Sequence, residues 1–273
     1  MSILAEIVRN KQRRLDAVIT AEALTEMRGA AHSAPPPLDF VATLRADTVQ
    51  VIAEIKRASP SQGALNPDLE VAALAAEYER SGAAAISVLT DEDYFGGSIE
   101  DLQAARAAVA LPLLRKDFII SEYQIYEARA AGADAILLIL AALDPPILEA
   151  LLGLTHELGM AALVEVHTHQ ELGIALTAGA GLIGINNRDL HTLEVSLDTF
   201  ADLARRVPPA CTLVSESGIH CRADVEYVSQ GGAEAVLVGT SLVADASPGA
   251  ALKQLLGVPT TPRSPSRHSS GIP

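Results

Sequence analysis

Tryptophan is absent from the 273 residues, and the aromatics together reach only 3%. A core built on large rings is thereby excluded. Alanine and the aliphatics must supply it, and at 49% hydrophobic content with a mean hydropathy of +0.26 they are abundant enough. Basic residues are also scarce, 20 against 34 acidic ones, for a net charge of −14. That balance excludes a general binder of nucleic acid or of an anionic membrane, since neither has a broad basic face to dock on. A local basic pocket for a small anion stays open. The two cysteines, Cys211 and Cys221, lie in no CxxC pair. Such sparse usage fits a reduced cytoplasm and argues against a disulfide or thiol role. Long apolar runs are missing as well. The longest, Ala135 to Leu143, is too short to span a bilayer, and MSILAEIVRNKQRRLD holds no signal-peptide core. A cytoplasmic protein with no membrane or nucleic-acid partner is expected. No motif encodes an oligomeric state; a monomer or weak homodimer is the expectation.

What is present is a set of five apolar runs that end in, or lead straight into, charge. They are VIAEIKRASPS from Val51, LPLLRKDF from Leu111, AALVEV from Ala161, LIGINNRD from Leu182 and TLVSESG from Thr212. A buried strand has no use for Glu54, Lys56, Lys116, Glu165 or Glu216. Unpaired charges in a core cost several kcal/mol, on the order of a domain's whole stability. The same placement in five runs points to one shared polar site at one end of a sheet.

A unit also recurs after residue 50. SGAAAISVL from Ser81, AGADAILLI from Ala131, AGAGLIGI from Ala178 and GGAEAVLVG from Gly231 each run from a small residue through Gly and Ala into an apolar stretch. Glycine suits the left-handed position that ends a helix, and the following run suits a strand buried on both faces. Helix-like segments precede them at Leu69–Arg80, Glu122–Ala130, His169–Thr177 and Arg222–Gln230. Eight strands are expected: Val51–Lys56, Ala85–Thr90, Leu113–Asp117, Ala135–Leu140, Ala161–Val166, Leu182–Asn186, Thr212–Glu216 and Ala235–Gly239. A last helix-like segment lies near Pro248–Leu256. Eight βα units in about 210 residues match an α/β fold of the (β/α)8 TIM-barrel type. An open doubly wound sheet is the rival, but no GxGxxG turn follows the first strand. Residues 1–50 read as a helical extension packed on the barrel, with helices over Ile3–Val18, Ala21–Arg28 and Phe40–Leu44. Residues 51–257 read as the barrel, and 258–273, rich in Pro and Ser, as a disordered tail.

Residues at strand C-terminal ends face the mouth of such a barrel. Glu54 and Lys56 alternate with Ile55 and share one face; Lys116, Glu165, Asn186 and Glu216 end the third, fifth, sixth and seventh strands. Two lysines and three glutamates therefore converge, more charge than a barrel end needs for ion pairs alone. Opposed charges in a partly dry site shift one another's pKa, which is how acids and bases are prepared. Ser215-Glu216-Ser217-Gly218 and Val238-Gly239-Thr240-Ser241 close strands seven and eight, where small residues let backbone N–H groups approach an anion. Ser59-Pro60-Ser61 adds a hydroxyl or an amide. Taken singly, each Gly-Ser pair is an ordinary turn; the two together favour a phosphate site. His167-Thr168-His169 resembles a metal-binding pair but follows the fifth strand rather than the first, and no histidine ends strands six to eight. No metal site is expected, and His169 reads as a polar residue opening the next helix.

The segments EIKRASPSQG (Glu54–Gly63), SVLTDEDYFGGS (Ser87–Ser98), LLRKDFIISEYQIYEAR (Leu113–Arg129), LVEVHT (Leu163–Thr168), GINNRDL (Gly184–Leu190) and SESGI (Ser215–Ile219) closely resemble the indole-3-glycerol phosphate synthase family. The resemblance spans residues 1–257, in order and with family-like spacing. It implies a carboxy-lyase of tryptophan biosynthesis that needs no cofactor or metal. Its substrate is 1-(o-carboxyphenylamino)-1-deoxyribulose 5-phosphate, which undergoes ring closure, loss of CO2 and dehydration. By the same resemblance Lys116 is the general acid, Lys56 the partner of the substrate carboxylate, and Glu165 the residue that assists dehydration. Glu54 and Glu216 hold the lysines charged, and Asn186 contacts hydroxyls or an amine. The phosphate falls to Ser59, Gly218, Gly239 and Thr240. Phe95, Phe118, Leu137 and Leu190 lie at or just past strand ends and are candidates to clamp an anthranilate ring, core packing being the alternative for Leu137. Arg188 gates its loop or pairs with an acidic neighbour. One departure is visible: many family members carry Lys at the place of Gln62, so a basic contact from that loop is not implied.

Two rivals are weighed. A sister phosphate-binding barrel such as phosphoribosylanthranilate isomerase is expected to carry a Cys at the end of strand one, where this chain has Glu54 and Lys56. A catalytically silent phosphate-binding barrel would not need Lys56, Lys116 and Glu165 together.

Overall fold

The computed structural model describes residues 3–60, 63–189 and 192–263. Eight parallel strands close into a barrel: β1 Gln50–Ile55, β2 Ala85–Leu89, β3 Leu113–Lys116, β4 Ala135–Ile139, β5 Ala161–Val166, β6 Leu182–Asn186, β7 Thr212–Glu216 and β8 Ala235–Val238. β1 pairs with β2 on one side and with β8 on the other, so no sheet edge is left open. One main helix follows each strand, at Val71–Ser81, Ile99–Ala108, Glu122–Ala130, Pro145–Glu157, His169–Thr177, Asp198–Ala204, Arg222–Gln230 and Pro248–Leu255. Four of the expected strands end one residue earlier than read, with Thr90, Asp117, Leu140 and Gly239 already in turns or short helices; β1 is shifted one residue toward its start. The recurring glycines Gly82, Gly132, Gly179 and Gly232 have φ of 98°, 92°, 85° and 88°, the left-handed turn that swings the chain from helix into strand. Among the described residues no helix is long and apolar enough to cross a membrane.

The two-residue period of the strands sorts their side chains into two cores. Val51, Ala53, Ile86, Val88, Leu138, Val164, Ile183 and Val236 face out and pack under the helices. Ile52, Leu114, Leu137, Leu163, Val214 and Leu237 face in and fill the barrel. One further inward step along β1, β3, β5, β6 and β7 gives Glu54, Lys116, Glu165, Asn186 and Glu216. The charges thus form the top layer of the barrel interior, directly over an apolar plug.

The first fifty residues cover both barrel ends. Helix α3 (Phe40–Leu44) sends Phe40 and Leu44 into the inner core beside Ile52 and Leu114, closing the bottom. Asp134, just before β4, accepts from the backbone N–H groups of Leu38 and Leu113, both at 2.7 Å, and ties that segment down. Helix α1 (Ile3–Val18) lies at the opposite end, with Ile3, Leu4 and Ile7 lining the mouth. Helix α2 (Ala21–Ser33), capped by Thr20, runs five residues past its expected end at Arg28. Gly29 does not stop it; Pro35 does, because the residue before a proline is driven to extended backbone, as Ala34 is.

The first residues of the expected tail, 258–263, are docked rather than disordered. Val258 is buried, and its carbonyl accepts from Val49 N–H at 2.8 Å. Thr260 N–H donates to Asp47 O at 2.9 Å, and the Arg263 guanidinium donates to the carbonyls of Cys211 and Gly232 and pairs with Glu234. A Pro/Ser-rich composition carries no apolar signal for such backbone-to-backbone docking. The remainder of the expected tail, 264–273, lies outside the described residues.

Candidate active site

Closing the sheet brings the charged top layer together. Lys116 Nζ stands 3.8 Å from Glu54 Oε2, 3.9 Å from Glu165 Oε2 and 3.6 Å from Glu216 Oε2. Lys56, one residue past β1, lies 2.6 Å from the other oxygen of Glu54. All five side chains are at most 16% exposed, so the interactions are weakly screened. Burial opposes the charge on Lys116, but Glu216, Glu54 and Glu165 outweigh it and hold the ammonium well above the ordinary lysine range. Burial likewise pushes Glu54 up, yet Lys56 and Lys116 prevail and leave it below the usual carboxylate value. Glu216 goes the other way. Its burial and the neighbouring charge of Glu165 exceed the help from Lys116, and its pKa is pushed up to about 8. At neutral pH Glu216 is therefore mainly the carboxylic acid, beside the charged ammonium of Lys116 and the carboxylate of Glu54.

Two glycines make room for these carboxylates. A Cβ on Gly184 in β6 would lie 2.1 Å from Glu216 Oε1, and one on Gly239 would lie 2.2 Å from Glu54 Oε1. The turn after β7 is held by Asn187, a buried residue whose amide donates to Ser215 Oγ at 2.9 Å and to the carbonyls of Glu216 and Ser217, each at 3.0 Å. Ser217 there has φ of 63°, an uncommon backbone for a side chain with a Cβ, followed by Gly218 at 84°. Ser241 Oγ donates to Ile219 O at 3.0 Å and joins the turns after β7 and β8.

Opposite the charges the cavity is apolar. The rings of Phe95 and Phe118 are 6.2 Å apart and tilted by 38°. Leu137 and the α1 residues Ile3, Leu4 and Ile7 continue that wall. Lys11, one turn further along α1, reaches Asp91 and Asp117 at 2.8 Å each and fastens the helix to the ends of β2 and β3.

Of the residues singled out from sequence, Glu54, Lys56, Ser59, Pro60, Phe95, Lys116, Phe118, Leu137, Glu165, Asn186, Arg188, Glu216, Ser217, Gly218, Gly239 and Thr240 all line this one cavity. Leu190 lies outside the described residues, as do Ser61, Gln62 and His191. Among the described residues Arg188 meets no acid; its guanidinium donates to Leu193 O at 3.0 Å and pins its own loop. His169 opens its helix as read and meets Asp202 at 2.7 Å, whereas His167 turns toward Glu165 and Glu171. Lys11, Asp91, Asp117 and Asn187 were not singled out. Lys11 sits on an amphipathic helix, where a lysine reads as solvent-facing. The signal for Asn187 was a second polar residue on the outward face of a strand end, which has no water to turn to.

A closed parallel barrel with acid–base side chains converging at the carboxy-terminal mouth defines a (β/α)8-barrel enzyme. The family model for indole-3-glycerol phosphate synthase matches residues 4–255. The chain is 49% identical over 264 residues to the indole-3-glycerol phosphate synthase of Mycolicibacterium vanbaalenii, covering 97% of both. It is 52% identical over 243 residues to that of Mycolicibacterium gilvum, covering 89% of both. The thiamine phosphate pyrophosphorylase of Pyrococcus furiosus shares the fold, with a TM-score of 0.58 at 16% identity over 80% of this chain and 96% of that one. The chain belongs to the indole-3-glycerol phosphate synthase family.

Proposed function

We propose that this cavity converts 1-(o-carboxyphenylamino)-1-deoxyribulose 5-phosphate to indole-3-glycerol phosphate, with the following division of labour. The phosphate sits on the small-residue turns at Ser59, Ser217, Gly218, Gly239 and Thr240, where backbone N–H groups can face it. The aromatic ring packs against the wall formed by Phe95, Phe118 and Leu137. Lys56 faces the substrate carboxylate. The ammonium of Lys116 stands by the carbonyl oxygen and protonates it as the aryl carbon attacks. Departure of CO2 then restores the aromatic ring. Glu165 takes up the proton released in dehydration, and Asn186 binds a hydroxyl or the amine.

The observation that carries this reading is the ammonium of Lys116 within 3.9 Å of the carboxyl groups of Glu54, Glu165 and Glu216 at the floor of a half-apolar cavity. The ammonium is charged at neutral pH and carries the proton that the carbonyl oxygen needs, and positioned acid–base groups contribute about 10²–10⁴-fold each. The free thiols Cys211 and Cys221 fit action in a reducing cytoplasm. The test is direct. Purified chain is mixed with the carboxyphenylamino-deoxyribulose phosphate and indole fluorescence is followed; the absence of tryptophan keeps the protein background low. Indole emission rising with time is expected, and none from folded, phosphate-free protein would overturn the reading.

A further inference from the structure

The reaction consumes a proton, and the cavity has a side route for one. When the aryl–carbonyl bond forms, the carbonyl π pair moves to oxygen and takes a proton from Lys116. The bond to the carboxylate breaks, its pair returns to the ring, and neutral CO2 leaves. The hydroxyl then departs with a second proton as water, while the carbon beside the nitrogen gives one up. Oxygen takes two protons and carbon returns one, so each turnover draws one from solvent. With substrate in the cavity, the mouth is the poorest path for it.

His167 follows β5 directly and does not line the cavity. Its ring is 11% exposed, with Nε2 3.4 Å from Glu165 Oε1 and Nδ1 3.4 Å from Glu171 Oε2. Among the described residues neither ring nitrogen makes a regular hydrogen bond. Glu171, in the first turn of the helix His169–Thr177, is 20% exposed and reaches water. A chain of groups thus runs from solvent through Glu171, His167 and Glu165 to Lys116, each step between 3.4 and 3.9 Å. The acidic groups acting on the imidazole come from three elements: Glu171 on the helix, Glu165 on β5 and Glu216 on β7. Burial opposes its charge, but the three acids together hold it above the ordinary histidine value.

We propose that His167 is the positioning and relay residue of this site, passing the proton drawn in each turnover from Glu171 at the surface to Glu165 beside the reacting atoms. The proton arrives on Nδ1, and the one on Nε2 leaves to Glu165 Oε1, from which Lys116 is recharged. The imidazole ends each cycle rotated or re-tautomerised, with no net change. The inference rests on the reaction proposed above.

The competing account is that the histidine merely belongs to a helix cap. Glu171 does accept from the backbone N–H of residue 167 at 2.6 Å, and Thr168 Oγ1 accepts from Glu171 N–H at 3.2 Å. That cap uses no ring atom, so His167→Asn leaves it standing. The full chain carrying His167→Asn is expected to melt with the wild type and to complete its first turnover at a near-normal rate. Later turnovers then slow by about tenfold or more, within the range of an acid–base group, and added imidazole restores them. Glu171→Gln is expected to slow later turnovers in the same way, and the double variant to be no slower than the worse single one. Unchanged steady-state turnover in both single variants would overturn the relay, as would an equal slowing of first and later turnovers or additive losses in the double variant. Wild-type protein without turnover would overturn the reaction itself.

Discussion

The ammonium of Lys11 lies 2.8 Å from the carboxylate of Asp117, the residue that follows Lys116. The same ammonium holds Asp91 at 2.8 Å, and both carboxylates are nearly inaccessible. One side chain of the N-terminal helix therefore bridges two buried acids at the ends of β2 and β3. It also sets the helix whose Ile3, Leu4 and Ile7 form one wall of the cavity. Asp117 has further partners in Arg115, at 3.1 Å, and the Thr90 hydroxyl, at 2.8 Å.

Lys11→Met is expected to cost about 3 kcal/mol, the low end for breaking a buried pair, because Arg115 still compensates Asp117. It should also raise KM as α1 loosens from the mouth. Asp117 is lowered from its ordinary value of 3.8: burial alone would raise it, but Arg115 and Lys11 prevail. Its share of stability is present above 3.8 and lost as pH falls through the folded value. Lys11 is raised from 10.5 by Asp117 and Asp91 against its own burial, so its share is present below 10.5 and lost as pH rises through the folded value. The gap between wild type and variant should be flat from 3.8 to 10.5 and narrow outside. Urea denaturation across pH, paired with KM at neutral pH, checks both. Equal stabilities at pH 7 would refute the bridge.

Glu216 yields the opposite pH signature. Burial and Glu165 raise its pKa from 4.5 to about 8 in the folded chain. Its contribution is therefore fully present below 4.5 and lost as pH rises through about 8. Glu216→Gln removes that titration. The variant should gain on the wild type between pH 5 and 9 by on the order of a few kcal/mol, at about 1.4 kcal/mol per pKa unit. Melting curves of both proteins at several pH values test this; parallel dependences would show that Glu216 titrates normally.

The barrel and its charged mouth were legible because they rest on short-range regularities. The recurring Gly-Ala step marks each helix-to-strand turn, and the two-residue period of a strand puts Glu54, Lys116, Glu165 and Glu216 on the inner face once closure is granted. Lys11 was not legible, since its partners Asp91 and Asp117 lie more than seventy residues away and nothing in α1 distinguishes it from a solvated lysine. The same holds for His167, weighed as half of a metal pair and set aside, whose ring contacts depend on the path of the loop after β5. The docking of Val258 to Arg263 uses backbone carbonyls, which leave no trace in side-chain composition.

That docking separates two truncations. Ending the chain after residue 263 keeps buried Val258 and the Arg263 contacts; ending it after 257 removes both. Burying a valine is worth about 1.5 kcal/mol or more, and the carbonyls of Cys211 and Gly232 lose their guanidinium donor. The shorter chain should be less stable than the longer by about 4–5 kcal/mol, the valine and each of the two hydrogen bonds to a charged donor counting about 1.5 kcal/mol. Their activities at a temperature where both are folded should agree. Thermal melts resolve a gap of this size, and coincident melts would mean the docked segment contributes nothing.

Gly184 is the most exposing test of the charge cluster, because it perturbs geometry without removing a charge. A Cβ there would fall 2.1 Å from Glu216 Oε1 and 3.2 Å from both Glu216 Cδ and Leu163 Cδ1. In Gly184→Ala the flexible carboxylate is the atom that yields, so the barrel stays folded while Glu216 swings off its position 3.6 Å from Lys116. Misplacing a group by about 1 Å costs up to about 10²-fold when chemistry depends on alignment. Turnover should therefore drop by about tenfold or more, with KM little changed if the phosphate turns after β7 and β8 keep their shape. Circular dichroism and a melt establish the fold, and steady-state kinetics read the effect. A folded variant with wild-type kcat would show that the position of Glu216 relative to Lys116 is not part of the catalytic geometry.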